Sequence, residues 1–134
     1  GVGGGTTTGP RVIQLAMMAE MQGAAGVVLN APAPPSTVYD VARITNTPVI
    51  ATVLTCDDEL DEKIEAGASI INVAAGRRTP DVVQQIRQRH PSIPLLASGG
   101  STDESMAETI VAGANAQTWT PPNPQERHRT MMMR

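Results

Sequence analysis

The sequence predicts an α/β fold in which about six repeated βα units form one parallel sheet. The first support is a repeat: the segments GAAGVVLN, GASIINVA and GANAQTWT begin at Gly23, Gly67 and Gly113, which are 44 and 46 residues apart. The second is that TPVIATVLT and IPLLASGGS match in the same register, with Pro48 and Pro94 46 residues apart. The third is that an acidic, helix-like run follows each of these segments. Each copy is therefore a βαβα module.

The chain opens with a predicted loop and helix. Residues 1–10 are rich in Gly and Thr, a composition typical of the end of a strand followed by a loop. Apolar residues at helical spacing then predict a helix from Arg11 to Gln22. Gly23 is placed to end that helix, because glycine readily adopts the backbone conformation of a helix C-cap.

Short apolar runs alternate with helical patterns along the rest of the chain. The apolar runs are nearly continuous and rich in β-branched residues, as in strands buried on both faces. They are Val27–Asn30, Val49–Leu54, Ile70–Ala74, Leu95–Ser98 and Ala116–Thr120. The helical patterns cover Ser36–Thr45, Asp57–Ala66, Pro80–His90 and Thr102–Ala112, with a last one from Pro124 onward.

Several helix starts carry capping residues. Thr79 precedes Pro80, which predicts an N-cap followed by a proline at the first helical position. Asp57, Asp58 and Glu59 place negative charge where the helix dipole is positive. We interpret these carboxylates as capping groups rather than catalytic ones.

Two arrangements of the sheet compete. Alternating strands and helices with short connections predict parallel strands with right-handed crossovers, and the repeat favours a partial TIM barrel over an open, doubly wound, flavodoxin-like sheet. We expect residues 1–134 to form a single (βα)-barrel-like domain, either an incomplete barrel or a fragment of a longer one. Because an uncovered parallel edge invites pairing with another chain, we expect a homo-oligomer.

Composition excludes several classes of protein. The chain has 134 residues, a net charge of −3, one Trp, one Tyr and no Phe, which argues against a nucleic-acid surface. No apolar run approaches the length of a membrane span, and the first residues do not show a signal-peptide pattern, so we expect a cytoplasmic protein without a membrane partner. Cys56 is the only cysteine, which rules out an internal disulfide and a cysteine metal cluster. We expect neither a metal nor a cofactor.

The segment IPLLASGGSTDESMAETIVAGANA resembles the late strand–loop–helix–strand segment of phosphate-binding (βα)-barrel enzymes. The stretches AEMQGAAGVVLN, TPVIATV and EKIEAGASIINVAA are similar to N-acetylmannosamine-6-phosphate epimerases, and the pattern also resembles sugar-phosphate aldolase-type barrels. The resemblance covers roughly residues 10–120. It implies an active site at the carboxyl ends of the strands and a lyase or isomerase activity on a phosphorylated sugar or small carboxylate.

The sequence departs from these enzymes at the catalytic groups. They place a lysine at a strand end, whereas the one lysine here, Lys63, lies in a predicted surface helix four residues after Glu59. That spacing is typical of an ion pair on a helix face. No Asp or Glu lies on a predicted strand, and neither His90 nor His128 is placed like a catalytic imidazole. We therefore assign no catalytic residue.

Small and polar residues at the strand ends form the candidate ligand site. The loop from Ser98 through Gly99 and Gly100 to Ser101 leads into a helix start, where free backbone N–H groups favour an anion. Secondary contributions to anion binding are expected from Arg77, Arg78 and the glycine loop of Gly3, Gly4 and Gly5. Neutral contacts are expected from Asn30, Thr52 and Asn72. The alternative is that the glycines only make turns and the polar side chains satisfy each other.

Two classes of function remain. The first is a small-molecule metabolic enzyme of the phosphate-binding barrel type, with a hydrolase as a further alternative. The second is a catalytically degenerate barrel domain that binds a small anion or assembles with itself. Cys56, next to a helix start, is interpreted as a small half-buried residue rather than a nucleophile.

Overall fold

The structure, a computed structural model, describes residues 9–30, 32–98 and 103–118. Helices and strands alternate along these residues. The helices are α1 (Gly9–Met21), α2 (Pro35–Ile44), α3 (Asp58–Ala66), α4 (Thr79–Arg89) and α5 (Asp103–Ala112), and a short 3₁₀ helix covers Gly76–Arg78. The strands are β1 (Val27–Leu29), β2 (Val49–Val53), β3 (Ala68–Val73), β4 (Leu95–Ser98) and β5 (Ala116–Thr118).

The five described strands form one parallel sheet in the order β1-β2-β3-β4-β5. This sequential order confirms the prediction of a partial barrel, since a doubly wound sheet reverses its strand order in the middle. Right-handed crossovers between sequential neighbours place the connecting helices on the same face of the sheet. The opposite face is the one that a closed barrel would turn inward.

An aliphatic core lies between the sheet and the helices. Alternate strand residues point toward the helices, because successive side chains of a strand point to opposite faces. The strand residues of this core are Val27, Leu29, Val49, Ala51, Val53, Ala68, Ile71, Val73, Leu95 and Ala97. The helix residues that meet them are Val12, Ala16, Val38, Val41, Leu60, Val82, Val83 and Ile86. Burial of these side chains fixes which face of each strand turns toward the helices.

The other face of the sheet has a different composition along its length. The strand positions between the core residues carry aliphatic side chains first and polar ones near the carboxyl ends. The aliphatic residues are Val28, Ile50, Ile70 and Leu96, and the polar ones are Thr52, Asn72, Ser98 and Thr118. This face therefore becomes polar at the edge where parallel strands end.

The repeated Gly-Ala pairs have a common structural role. Gly23, Gly67 and Gly113 each follow a helix and have φ values of 89°, 121° and 126°. At Gly67 there is also no room for a side chain, since an added Cβ would lie 2.7 Å from the Cβ of Ala42 in α2. The repeat is thus a backbone requirement at the passage from helix to strand.

Helix starts differ in part from the predictions. Asp57 is the N-cap of α3, as expected, and its carboxylate accepts a hydrogen bond from the backbone N–H of Leu60 at 3.2 Å. The prediction for Thr79 is wrong: α4 begins at Thr79 itself, and the residue before it makes no side-chain cap. The Thr79 hydroxyl instead accepts a hydrogen bond from the backbone N–H of Ala75, which fixes the loop leading into α4.

Three predicted segments lie partly or wholly outside the described residues. They are residues 1–8 of the predicted opening loop, residues 99–102 between β4 and α5, and the chain from residue 119 onward, which includes the end of the predicted strand at Thr120 and the pattern from Pro124. Among the described helices, none has the length and apolar character needed to cross a membrane.

Candidate functional site

A chain of hydrogen bonds joins four neighbouring strands at their carboxyl ends. The side-chain amide of Asn72 donates from Nδ2 to Thr52 Oγ1 at 3.1 Å, and Ser98 Oγ donates to Asn72 Oδ1 at 2.7 Å. Thr118 Oγ1 lies 3.0 Å from Ser98 Oγ. We call Thr52, Asn72, Ser98 and Thr118 the strand-end cluster.

The sheet register brings these four residues together. Thr52 pairs with Asn72 across β2 and β3, and Ser98 pairs with Thr118 across β4 and β5. Between the two pairs, Asn72 is opposite Leu96, two residues before Ser98. The longer asparagine side chain spans this offset, since diagonal neighbours in a sheet remain within reach of long side chains. Sequence reasoning placed Thr52, Asn72 and Ser98 at the rim of the sheet, and the structure shows that they form one connected chain with Thr118.

Exposure increases along the strand-end cluster. Thr52 retains 1% of its surface and Asn72 retains 6%, whereas Ser98 is half-buried and Thr118 is exposed. Buried polar side chains are stable only when hydrogen-bonded, and the two most buried members satisfy each other. A molecule approaching from solvent would therefore meet the Ser98–Thr118 end.

The other candidate residues are placed as follows. Asn30 is exposed directly after β1, next to the carboxyl end of the sheet. Arg77 and Arg78 are exposed in the short 3₁₀ helix between β3 and α4. Six of the predicted ligand residues lie outside the described residues: Gly3, Gly4, Gly5, Gly99, Gly100 and Ser101.

Two residues after β2 have structural roles. Cys56 is half-buried and packs against the core, as expected of a small apolar side chain. The carboxylate of Asp57 accepts hydrogen bonds from the Thr55 hydroxyl at 2.9 Å and from the N–H of Leu60. This carboxylate is therefore used in capping α3.

The structure corrects the expected surface position of Lys63. Its ammonium group lies 3.7 Å from Glu59 Oε1, which confirms the predicted ion pair. However, Lys63 is buried, with 3% of its surface exposed, so it does not lie on the surface of α3. The reason is its spacing from the buried Leu60, because residues three apart share a helix face.

A charged cluster links α3 and α4. His90 Nε2 lies 2.6 Å from Asp61 Oδ1, and the guanidinium of Arg89 binds Asp58 Oδ1 at 3.0 Å as well as the carboxylate of Asp61. The hydrogen bond from His90 lowers the pKa of the Asp61 carboxyl; desolvation opposes this shift and Arg89 adds to it. These ion pairs and hydrogen bonds connect α3 with the end of α4, so we interpret the role of the cluster as structural.

Sequence reasoning did not single out Arg87. Its guanidinium donates to the carbonyl oxygens of Ile93 at 2.7 Å and Pro91 at 2.9 Å, before β4. It also donates to Gly113 O and to Asn115 Oδ1, both 2.8 Å from Nη2. These contacts hold the loops that enter β4 and β5, the two strands that carry Ser98 and Thr118. Among the described residues, no group of His, Cys, Asp and Glu is arranged to hold a metal ion.

Comparison with known proteins places the fold. No protein-family model matches the sequence, and no curated protein matches it in sequence. Among solved structures, a KDPGal aldolase has a TM-score of 0.70 and 23% identity over 97% of this chain. A mandelate oxidase variant has a TM-score of 0.71 and 18% identity over 84% of this chain. An inosine 5′-monophosphate dehydrogenase from Legionella pneumophila has a TM-score of 0.64 and 19% identity over 83% of this chain.

These neighbours have TIM-barrel-type folds, and the chain shares the architecture of part of such a barrel. The match covers 63% of the KDPGal aldolase chain, 46% of the mandelate oxidase chain and 35% of the dehydrogenase chain. At these identities the likeness describes the fold alone. Ligands of TIM-barrel proteins bind at the carboxyl ends of the strands, the edge that carries the strand-end cluster.

Proposed function

We propose that this chain forms the ligand-binding rim of a small-molecule metabolic enzyme of the phosphate-binding barrel type, with a lyase or isomerase activity on a phosphorylated sugar or small carboxylate. The observation that carries the proposal is the strand-end cluster, in which polar side chains of four neighbouring strands are connected at the carboxyl edge. Polar groups converging at that edge are the usual means by which a barrel orients a ligand.

The anionic part of the ligand is assigned to the loop after β4. Ser98 is the last residue of β4, and the sequence continues with Gly99, Gly100 and Ser101 before α5. Consecutive glycines before a helix favour the approach of an oxyanion to backbone N–H groups, and the helix dipole adds positive potential. Arg77 supplies positive charge from the neighbouring loop, between β3 and α4.

The described side chains at the carboxyl edge of the sheet are suited to forming hydrogen bonds with a ligand rather than to transferring protons. The strand-end cluster consists of hydroxyl and amide groups, and Asp57, the carboxylate that follows β2, caps α3. A general acid or base needs a titratable group within hydrogen-bond reach of the ligand. This composition favours a second candidate, a catalytically degenerate barrel domain that binds a small anion without turnover.

Titration with inorganic phosphate and with sugar phosphates tests the anion assignment. We expect binding to raise the melting temperature and to perturb the amide resonances of residues around Ser98. Gly100→Val should abolish binding, and the double variant Arg77→Ala/Arg78→Ala should weaken it roughly tenfold. Arg43→Ala, which removes an exposed arginine from α2, is the matched control.

Two outcomes decide between the candidates. Turnover of a sugar phosphate that is lost in Gly100→Val supports the enzyme, whereas binding without turnover supports the degenerate barrel. Absence of phosphate binding, or binding confined to the basic segment around Arg127 and Arg134, would show that the site assignment is wrong.

A further inference from the structure

We infer that the exposed end of the strand-end cluster accepts hydrogen bonds, so that the ligand group bound there is a donor, such as the hydroxyl of a polyol or sugar. The inference rests on the proposed function, because it concerns the ligand of the same rim. Of the two proposed ligand classes, a phosphorylated sugar and a small carboxylate, it selects the phosphorylated sugar, which carries hydroxyl groups. The hydroxyl and amide protons between Thr52 and Ser98 determine which of these groups can still donate to a ligand.

Asn72 sets the direction of the chain. Its Oδ1 lies 2.7 Å from Ser98 Oγ and its Nδ2 lies 3.1 Å from Thr52 Oγ1. Hydrogen bonds between two oxygens are typically shorter than those from an amide nitrogen to oxygen. The short contact therefore suits a hydroxyl donating to the amide oxygen, and the longer one suits the amide N–H donating to Thr52.

Ser98 therefore donates its only hydroxyl proton to another group of the protein, the side-chain oxygen of Asn72. A serine hydroxyl has one proton and two lone pairs, and an amide oxygen can only accept. Once its proton is given to Asn72 Oδ1, Ser98 Oγ presents only lone pairs to its other neighbours. Thr118 Oγ1, 3.0 Å away, can donate to one of them or to the carbonyl oxygen of Ala97 at 3.3 Å, but its single proton serves one acceptor at a time. With respect to the described residues, at least one lone pair of Ser98 therefore remains without a donor.

Burial places that lone pair within reach of a ligand. Thr52 and Asn72 retain 1% and 6% of their surface, so their contacts with each other are closed to solvent. Ser98 is half-buried at the end of β4 and adjoins the exposed Thr118. A ligand at the rim therefore meets the accepting oxygen of Ser98.

This polarity separates the two proposed ligand classes. A carboxylate oxygen only accepts hydrogen bonds, so two lone pairs would face each other at Ser98. A sugar hydroxyl donates to Ser98 and keeps its own lone pairs for other groups.

Matched probes measure the preference. We would compare glycerol 3-phosphate with propyl phosphate, which lacks the hydroxyls, by calorimetry on the full chain. A parallel pair without phosphate, xylitol and 1,2-dimethoxyethane, would be compared through NMR shifts of Ser98 and Thr118. Glycerol 3-phosphate should bind roughly three- to tenfold more tightly than propyl phosphate, the range expected for one or two neutral hydrogen bonds. Xylitol should shift these resonances and the ether, which only accepts, should not.

Three variants test the role of each group. Ser98→Ala should abolish the preference for glycerol 3-phosphate over propyl phosphate, whereas the control Ser69→Ala, which changes an exposed serine near the start of β3, should keep it. Asn72→Asp keeps an oxygen that takes the proton of Ser98, so the preference should persist. Asn72→Leu releases that proton, so the preference should disappear. A merely structural role of Asn72 would make both variants weaken all probes alike.

The outcomes separate this inference from the proposed function. If neither phosphate probe binds but xylitol shifts the Thr118 resonance and Ser98→Ala abolishes that shift, the phosphorylated ligand is wrong and the inference holds. If the preference survives in Ser98→Ala, or if xylitol and the ether behave alike, the inference is overturned even though phosphate binds.

Discussion

The guanidinium group of Arg87 donates two hydrogen bonds to the carbonyl oxygen of Gly113, from Nε at 3.1 Å and from Nη2 at 2.8 Å. Its remaining nitrogen, Nη1, donates a hydrogen bond to the carbonyl oxygen of Ile93. A side chain of α4 thus fixes the turn that follows α5. The planar, five-donor guanidinium suits this role, because it reaches several carbonyl oxygens in a fixed geometry.

Removing this group should destabilise the fold. Arg87→Ala leaves the carbonyl oxygens of Gly113 and Ile93 without their charged donor, and we expect a loss of about 2–3 kcal/mol in the free energy of unfolding. Arg87→Lys should recover only part of it, since an ammonium group cannot reproduce the forked contacts. Urea denaturation measures both, with the exposed Arg11→Ala as control. Equal stability of the Arg87 and Arg11 variants would contradict the prediction.

The close approach of Gly67 to Ala42 leads to a second prediction. Gly67→Ala combines an unfavourable φ of 121° with a Cβ only 2.7 Å from that of Ala42. Gly23→Ala shares the positive φ but has no atom within 4 Å of the added Cβ. We expect Gly23→Ala to cost roughly 1–2 kcal/mol and Gly67→Ala roughly 1–3 kcal/mol more.

A double-mutant cycle separates the two causes. Ala42→Gly alone should cost about 1 kcal/mol because it places glycine inside α2. Combined with Gly67→Ala it should recover most of the contact penalty and none of the backbone strain. Strictly additive losses in thermal or urea unfolding would show that the contact does not matter.

The repeat made much of the fold predictable. Gly23, Gly67 and Gly113 marked the passages from helix to strand, and the strands between them followed in sequential order. Thr52, Asn72 and Ser98 were accessible to sequence reasoning because each lies near the end of an apolar run, and parallel strands end at the same edge.

Properties that depend on contacts between distant residues were not predictable in the same way. The burial of Lys63 depends on how α3 faces its neighbours, and the predicted surface position was wrong. The contacts of Arg87 join residues 26 positions apart, for which the local pattern gives no signal. The direction of the hydrogen bonds of Asn72 likewise follows from the register of three strands rather than from its own segment.

A third prediction concerns acid stability. The hydrogen bond from His90 lowers the pKa of Asp61 in the folded chain below its ordinary value of 3.8. The unfolded chain therefore binds a proton more readily, so this contribution is present above about pH 4 and is lost as the pH falls through the lowered pKa.

Asp61→Asn should remove that part of the acid dependence. We expect the variant to be less stable than the parent near neutral pH and the two to converge as the pH falls from about 4 toward 2. Urea denaturation at a series of pH values measures the difference. Glu65→Gln removes an exposed carboxylate from the same helix and is the control. A constant difference between Asp61→Asn and the parent at all pH values would rule out this linkage.

The last prediction concerns self-association. Large apolar side chains are exposed on the two outermost described helices: Met17, Met18 and Met21 on α1, and Ile110 and Val111 on α5. Of the helices between them, α2 exposes Tyr39 and Ile44, whereas α3 and α4 expose no large hydrophobic residue. Apolar surfaces of this kind on the outermost described helices favour association with a second copy.

Light scattering coupled to size-exclusion chromatography should therefore detect oligomers whose fraction rises with protein concentration. Met21→Glu and Val111→Glu, which charge residues that are 85% and 88% exposed, should shift the protein toward monomer without lowering its helix content. Gln84→Glu adds the same charge to an exposed position on α4 and should leave the distribution unchanged. A stable monomer at every concentration would contradict the expected homo-oligomer. A shift caused equally by Gln84→Glu would mean that net charge, rather than the apolar surfaces of α1 and α5, controls the association.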